Sequence, residues 1–154
     1  MTGPTVFETP GALQGQEGTQ LGPTDWLLID QDRVNGFADV TGDHQWIHVD
    51  VERAKDGPFG GTIAHGFLTL SLIPKFSESA IKIQNVRMGV NYGLNKVRFT
   101  SPVLVGSKLR AHMKLLSATP LDGNGMQFAW EVSIEREGSE KPACIAETLV
   151  RYYA

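Results

Sequence analysis

The sequence predicts an α+β protein in which an antiparallel β-sheet wraps around a long central helix. Residues 62–73 carry apolar side chains on nearly every side, which is typical of a helix buried all round. Further along, apolar and polar residues alternate with a period of two over 108–115 and 126–135, as in strands with one buried face. The turn-forming segment 122–125 predicts a hairpin between them. Such a sheet can curve its apolar face around the helix.

Short elements are predicted before this helix. Residues 1–24 predict a loose arm. Residues 26–29 predict a short buried strand, because bulky apolar side chains follow one another there. Asp30 can cap a following helix, since its carboxylate can accept hydrogen bonds from the unpaired N–H groups of the first turn. Val34 and the apolar residues three and four positions later share one face of that helix, and a turn around Gly42 ends it.

The remaining elements complete this arrangement. Pro74 is expected to end or kink the central helix, because proline lacks the N–H and clashes with the preceding turn. Residues 98–105 and 144–152 predict two more strands. A length of 154 residues fits one domain, so we expect a single domain over 1–154.

Composition narrows the class of protein further. The apolar share of 41% and the charged share of 20% are ordinary for a soluble globular chain. No run is long and apolar enough to span a membrane, and the first twenty residues lack the pattern of a secretory signal. Cys144 is the only cysteine, which excludes an internal disulfide and a cysteine-based zinc site. We therefore expect a cytoplasmic protein.

Charge is distributed unevenly along the chain. Ten acidic residues lie between Met1 and Gly60, whereas none lies between Ser79 and Leu121. The second stretch carries seven basic residues: Lys82, Arg87, Lys96, Arg98, Lys108, Arg110 and Lys114. It can attract an anionic ligand, or it can consist of solvated strand faces that are basic. Nucleic acid is a poor candidate, because the acidic remainder would repel its phosphates.

A candidate acid–base pair lies just beyond the first helix. Asp43 and His48 are five residues apart, so a turn between them can bring both side chains to one water molecule. Histidine suits this task because its pKa lies near neutral pH. Two other interpretations stay open: a polar loop with Asp43 capping a turn, or a metal site formed with His44 and Asp50.

The start of the central helix is a second candidate site. The first N–H groups of a helix have no internal acceptor, and glycine lets a ligand approach them closely. Gly66 could therefore hold a carbonyl oxygen that gains negative charge, as an oxyanion hole does. Close packing of the helix against the sheet would explain the glycine equally well. His65 fits a structural role better than a catalytic one.

Three segments resemble the MaoC-like hydratase and dehydratase family. Residues 37–43, followed by His48 and Ala54, resemble the family's hydratase signature. Residues 63–67 resemble the start of its central helix, and 98–106 resemble the strand after that helix. The similarity covers most of the chain from about residue 30 onward.

The resemblance implies a hot-dog fold, usually dimeric, and (R)-specific hydration of trans-2-enoyl-CoA to 3-hydroxyacyl-CoA in fatty acid metabolism. By this resemblance Asp43 and His48 bind the catalytic water, and the N–H of Gly66 receives the thioester oxygen. The coenzyme A thioester is then the substrate. We expect no metal, no other cofactor and no membrane partner, and we expect a homodimer.

Other residues are candidates for substrate binding. Where the family has Asn-Pro, this sequence has Gln45 and Trp46, which places it nearest to the branch that includes nodulation protein N-like dehydratases. The amide of Gln45 could still orient the site, and Trp46 could line an acyl pocket. His65 could contact the ligand, and Ser71 could support the acid–base pair.

The basic stretch supplies the last candidates. Asn91 and Asn95 could touch the ligand or satisfy backbone groups, and Lys96 and Arg98 could meet the phosphates of coenzyme A, a role open also to other basic residues nearby. Two rival functions remain: a hot-dog thioesterase, which would hydrolyse the thioester, and a subunit that binds acyl thioesters without turnover.

Overall fold

The computed structural model describes residues 3–154, in which eight strands form two sheets. The strands are β1 (Thr5–Phe7), β2 (Gln20–Leu21), β3 (Leu27–Leu28), β4 (Ile81–Ile83), β5 (Met88–Arg98), β6 (Lys108–Leu121), β7 (Gly125–Arg136) and β8 (Cys144–Tyr153). The main sheet has the order β2-β6-β7-β8-β5, with β3 also paired to β6, and all its pairings are antiparallel. Strands β1 and β4 form a separate parallel pair.

Five α-helices accompany the sheets in the described chain. They are α1 (Gln31–Thr41), α2 (Trp46–Val49), α3 (Val51–Lys55), α4 (Gly66–Ser71) and α5 (Ile73–Ala80). The inner face of the main sheet and one side of α4 and α5 share one apolar core. The predicted α+β class, with an antiparallel sheet against a central helical segment, is confirmed. No helix among residues 3–154 is both long enough and apolar enough to cross a lipid bilayer.

The long hairpin of β6 and β7 forms as its alternating pattern predicts. Leu109, Ala111, Met113 and Leu115 are buried, whereas the residues between them reach solvent wholly or in part. The two strands pair from Leu109 opposite Arg136 to Leu121 opposite Gly125, which places the turn at residues 122–124. Alternation places every second side chain on the core face.

The central helix differs from its predicted bounds of 62–73. Helical structure begins at Gly66, breaks at Leu72 and resumes to Ala80. The break at Leu72 lies two residues before Pro74, in agreement with the expected kink, and Pro74 itself lies in the first turn of α5, where the missing N–H costs nothing. The expected burial on all sides is also wrong, because Phe67 points away from the sheet and is 68% exposed.

The arm predicted as loose packs against the rest of the protein; residues 1 and 2 lie outside the described part. Strand β1 pairs with β4, β2 pairs with β6, and Leu13 between them is fully buried. Tertiary pairing therefore orders a segment whose Gly- and Thr-rich composition suggested none.

Two predicted strands also need correction. Residues 99–105 are not a strand, because β5 ends at Arg98 and the chain then crosses to the segment before α4, where Ala64 N–H donates to the Val103 carbonyl at 2.8 Å. The strand predicted at 26–29 is shorter, and Leu28 in it is exposed rather than buried.

Helix α1 positions the acid–base candidates. The Asp30 carboxylate accepts from the Arg33 N–H at 2.9 Å, which is the predicted N-cap. At the other end Gly42 adopts a left-handed conformation with φ 82°, and its N–H donates to the Ala38 carbonyl. Glycine takes this conformation without steric penalty. The chain therefore turns sharply just before Asp43.

Candidate active site

Two chain segments meet beside the start of α4. The segment 43–48 leaves α1, and the segment 62–66 leads into α4; they join where the Ile63 N–H donates to the Ile47 carbonyl at 3.0 Å. Asp43, His48 and His65 each bring one nitrogen or oxygen atom within 4.8 Å of the others. The structure thus brings the two predicted water-binding side chains together, and His65 of the second segment joins them.

His48 is held in a defined orientation. It is 7% exposed, and its Nδ1 lies 2.7 Å from the Ile63 carbonyl oxygen. A carbonyl oxygen can only accept, so Nδ1 carries the hydrogen and Nε2 is the nitrogen that can take up a proton. Burial lowers the pKa of His48, and nearby His65 lowers it further, against the hydrogen bond to Ile63 and the charge of Asp43, which raise it. The ring is therefore a neutral base near pH 7.

Asp43 presents an exposed carboxylate beside this ring. One carboxylate oxygen accepts from the Gln45 N–H at 3.3 Å, which forms a local turn. The backbone carbonyl of Asp43 accepts from Nε2 of His65 at 3.0 Å. The carboxylate therefore keeps oxygen lone pairs for a water or a substrate hydroxyl.

Gln31 of α1 links the two segments of the site by hydrogen bonds, a role that was not predicted from the sequence. Its Nε2 donates to the His48 carbonyl at 2.8 Å, and its Oε1 accepts from the Thr62 hydroxyl at 2.7 Å. One amide thus fixes both converging segments. Nothing in the local pattern marks Gln31, because its partners lie 17 and 31 residues away in the chain.

The geometry of the two imidazole rings disfavours a shared metal ion. The His48 and His65 rings are stacked, with centroids 3.8 Å apart and planes at 22°. An ion about 2.1 Å from a nitrogen of each ring would have to lie in both ring planes. Nearly parallel rings with centroids 3.8 Å apart have planes that do not meet so close to the nitrogens. The other metal set, with His44 and Asp50, does not assemble either: His44 contacts Asp39 at 2.9 Å, and Asp50 caps α3.

Gly66 opens α4 directly after His65, and its N–H therefore lacks an intrahelical acceptor. A Cβ at this position would lie 3.0–3.1 Å from the ring of Phe99, so only glycine fits without displacing that ring. A cavity of about 310 Å³ adjoins Gly66 and is lined by Thr69 of α4 and by the loop 99–103. Both explanations of the glycine, ligand approach and close packing, are compatible with this contact.

The two residues that replace the family's Asn-Pro face other partners. Gln45 is the exposed residue before α2. Trp46 packs against α3, with the Arg53 guanidinium 4.2 Å above its ring and Gly57 beside it. It lines neither the cavity beside Gly66 nor the cavity beside Ser71. The contacts of Trp46 are with Arg53 and Gly57, so a role of this indole in an acyl pocket stays a prediction.

Ser71 and Asn91 line a cavity different from the one beside Gly66. Both line a larger cavity of about 740 Å³ between the helices and the inner face of β5 and β8. The Ser71 hydroxyl donates to the Phe67 carbonyl at 2.6 Å within its own helix. Ser71 makes its hydrogen bond inside α4 and lines this other cavity, so support of Asp43 and His48 by Ser71 stays a prediction.

The basic candidates lie on β5. Asn95 donates to the carboxylate of Glu147 on the neighbouring strand. Lys96 and Arg98 are exposed, and the Arg98 guanidinium donates to the Val97 carbonyl at 2.7 Å. Arg110 is occupied differently, because it pairs with Glu135 at 2.5 Å on the outer face of β6 and β7. Lys96 and Arg98 on β5, and Lys108 at the start of β6, are exposed to solvent.

Fold and site together define a MaoC-like protein, and comparison with known sequences agrees. The family model of the MaoC-like domain matches residues 12–133, so the chain belongs to the MaoC-like dehydratase family. It is 51% identical over 149 residues to 3-hydroxyacyl-thioester dehydratase Z of Mycobacterium tuberculosis, covering 97% of this chain and 99% of that protein. It is 44% identical over 139 residues to nodulation protein N of Rhizobium leguminosarum, covering 88% and 86% of the two chains.

Solved structures show the same hot-dog fold. A monoamine oxidase regulatory protein from Archaeoglobus superposes with a TM-score of 0.78 at 21% identity, covering 99% of both chains. The R-hydratase PhaJ1 from Pseudomonas aeruginosa superposes with a TM-score of 0.68 at 24% identity, covering 89% of this chain and 81% of its own. The predicted family, its fold and the nodulation protein N-like branch are thus confirmed.

Proposed function

We propose that this protein adds water to the double bond of a trans-2-enoyl-CoA to give an (R)-3-hydroxyacyl-CoA, and catalyses the reverse dehydration. The observation that carries this proposal is the convergence of Asp43 and a neutral His48 within one short loop, next to the segment that begins α4. The names of the relatives, a 3-hydroxyacyl-thioester dehydratase and an R-hydratase, support the same reaction class and stereochemistry.

In the proposed mechanism, the thioester oxygen accepts from the N–H of Gly66, which draws electrons from the double bond and makes C3 electrophilic. A water held by Asp43 and His48 forms the new oxygen–carbon bond at C3, and one of these side chains takes its proton. C2 then gains a proton from the same side, which gives syn addition. Each acid–base group would contribute about 10²–10⁴-fold.

The decisive experiment replaces Asp43 with Asn and His48 with Gln in separate variants. Turnover is followed as the loss of enoyl absorbance of crotonyl-CoA, and both variants should lose at least about 10²-fold in kcat. Asp39→Asn is the matched control, because Asp39 is an exposed carboxylate on α1 whose one side-chain hydrogen bond among residues 3–154 is with His44. Near-normal rates in both site variants would contradict the proposal.

The same assay separates the rival functions. Release of free thiol from an acyl-CoA, followed with a thiol reagent, would identify a thioesterase instead. Acyl-CoA binding without turnover of enoyl or hydroxyacyl substrates would identify a non-catalytic subunit. The relative named as a dehydratase, at 51% identity over nearly the whole chain, favours hydration over both.

We propose further that the reaction needs no metal ion. The stacked rings of His48 and His65 support this, because their lone pairs do not converge on one point. Dialysis against a strong chelator should leave kcat unchanged. A loss that added zinc or iron restores would show that the ring geometry had been misinterpreted.

We also propose a homodimer built along β5. This strand is the edge of the main sheet, and Met88, Val90, Tyr92 and Leu94 expose large apolar side chains on it. An unpaired edge with exposed apolar residues is a template for pairing with another chain. Light scattering coupled to size exclusion should give twice the chain mass, whereas a monomer at micromolar concentration would refute the proposal.

A further inference from the structure

His65 occupies the centre of the cluster described above, although the proposed reaction assigns it no step. Its side chain is 3% exposed and joins three parts of the site. Nε2 contacts the carbonyl of Asp43, the ring faces His48, and the next residue in the chain is Gly66. We propose that His65 is a positioning residue that holds Asp43 and His48 in the relative geometry that one shared water requires. This inference rests on the proposed function.

Two aromatic rings pack against the ring of His65. The His48 ring stacks on one side at a centroid distance of 3.8 Å, and the Phe37 ring of α1 lies at 4.9 Å with a tilt of 53°. A buried ring in contact with two others cannot rotate without displacing a neighbour. The direction of its hydrogen bond to Asp43 is therefore set by packing.

The hydrogen bond also defines the tautomer of His65. Since the Asp43 carbonyl only accepts, Nε2 must carry the hydrogen. Nδ1 is buried and has no hydrogen-bond partner among residues 3–154. The hydrogen bond to Asp43 is thus the one polar contact of this ring in the described chain. It connects the imidazole to the backbone of the residue whose carboxylate is proposed to hold the water.

The contact between His65 and His48 can be measured through the pKa of His48. The titratable groups that act on its ring are His65 and Asp43. The contacts from α1 are uncharged, because Gln31 donates to the backbone carbonyl of His48 and Phe37 lies against His65. Burial is the largest cause of the lowered pKa of His48, and His65 adds to it. Removal of the His65 ring therefore opens space beside His48 and raises the pKa of its imidazole.

Two substitutions separate the two contacts of His65. His65→Gln keeps an N–H donor for the Asp43 carbonyl but loses the flat ring. His65→Phe keeps a ring against His48 and Phe37 but loses the donor. If both contacts position the water, each variant loses about tenfold or more in kcat for crotonyl-CoA hydration, while KM changes less than about threefold, because positioning acts on the reacting geometry. His112→Gln on the outer face of β6 is the matched control.

The pH profile supplies a readout that a loss of fold stability alone would not move. A neutral His48 is required, so activity falls as pH drops through its pKa. In His65→Gln the acid limb of kcat should move to higher pH, because the pKa of His48 rises. An unmoved limb, or kcat within threefold of the wild type in both variants, would overturn the inference.

The outcome is distinguishable from failure of the proposed function. Active Asp43→Asn and His48→Gln variants would refute the function itself. Inactive ones, together with normal His65 variants, would refute only the positioning role. If neither His65 variant folds, nitrogen NMR of the wild-type protein decides: hydrogen at Nε2 of His65 supports the inference, and hydrogen at Nδ1 overturns it.

Discussion

Replacement of Gly66 with alanine adds one methyl group at the proposed binding point of the thioester oxygen. The methyl would lie 3.0–3.1 Å from carbons of the Phe99 ring, which is about 0.5 Å closer than nonbonded carbons prefer. Because Cβ atoms in a helix tilt toward its N-terminus, the methyl would also crowd the N–H itself. The substitution therefore tests both explanations of this glycine together.

The expected effect on stability is small. Alanine is favoured over glycine in a helix by about 0.8–1 kcal/mol. Displacing the Phe99 side chain from its preferred rotamer costs about 0.5–1.5 kcal/mol, and this ring is 46% exposed and can move. These contributions nearly offset each other. The free energy of unfolding should stay within about 1 kcal/mol, which in a domain of this size is about 2–4 °C in Tm.

The expected effect on catalysis is large. If the N–H of Gly66 binds the oxyanion, blocking it costs roughly 2.7–4 kcal/mol, or about 10²–10³-fold in kcat. Crotonyl-CoA hydration and thermal unfolding are measured on the same preparation. Gly36→Ala is the control, since Gly36 lies on the exposed face of α1 with nothing near its added methyl.

Two results would refute this reasoning. A folded Gly66→Ala variant with kcat within threefold of the wild type would mean that the glycine serves packing alone. Recovery of kcat on adding Phe99→Ala, measured against Phe99→Ala by itself, would mean that displacement of the ring caused the loss.

Three further predictions follow from contacts in the structure. Glu135→Gln should lower the free energy of unfolding by about 1 kcal/mol at neutral pH, since the ion pair of Glu135 with Arg110 is partly exposed. Hydrogen bonds from Arg110 and His112 lower the pKa of Glu135 to about 2. The difference from the wild type in urea unfolding should therefore be complete above pH 4.5 and disappear as the pH falls toward 2. A constant difference across that range would exclude the ion pair as its source. Gln31→Ala should lower the free energy of unfolding by about 1–3 kcal/mol and lower kcat, because the His48 carbonyl and the Thr62 hydroxyl both lose their partner. Unchanged Tm and kcat would show that these two hydrogen bonds are not needed for stability or activity. Arg98→Gln should raise KM for crotonyl-CoA without changing kcat, and salt should reduce that difference; an unchanged KM would place the coenzyme A phosphates elsewhere.

Local patterns predicted the elements whose cause is local. The alternation in β6 and β7 and the cap at Asp30 depend on residues only a few positions apart, and they form as expected. The predicted central helix begins too early, because its apolar run also includes residues 62–65. These residues form hydrogen bonds with the loop after β5 instead of helix. A period of apolar residues cannot distinguish these two outcomes, since both bury the same side chains.

The residues of the site likewise fall into those that local sequence predicts and those that only the tertiary structure reveals. By itself, the sequence identified Asp43, His48 and Gly66 as candidates, since their residue types and spacing suit water activation and their motif resembles a family. Only the tertiary structure showed that His65 stacks on His48 and that Gln31 braces both segments, because these contacts join residues 17 or more positions apart. Which distant segments meet is decided by burial of the whole apolar core, and no local spacing encodes it.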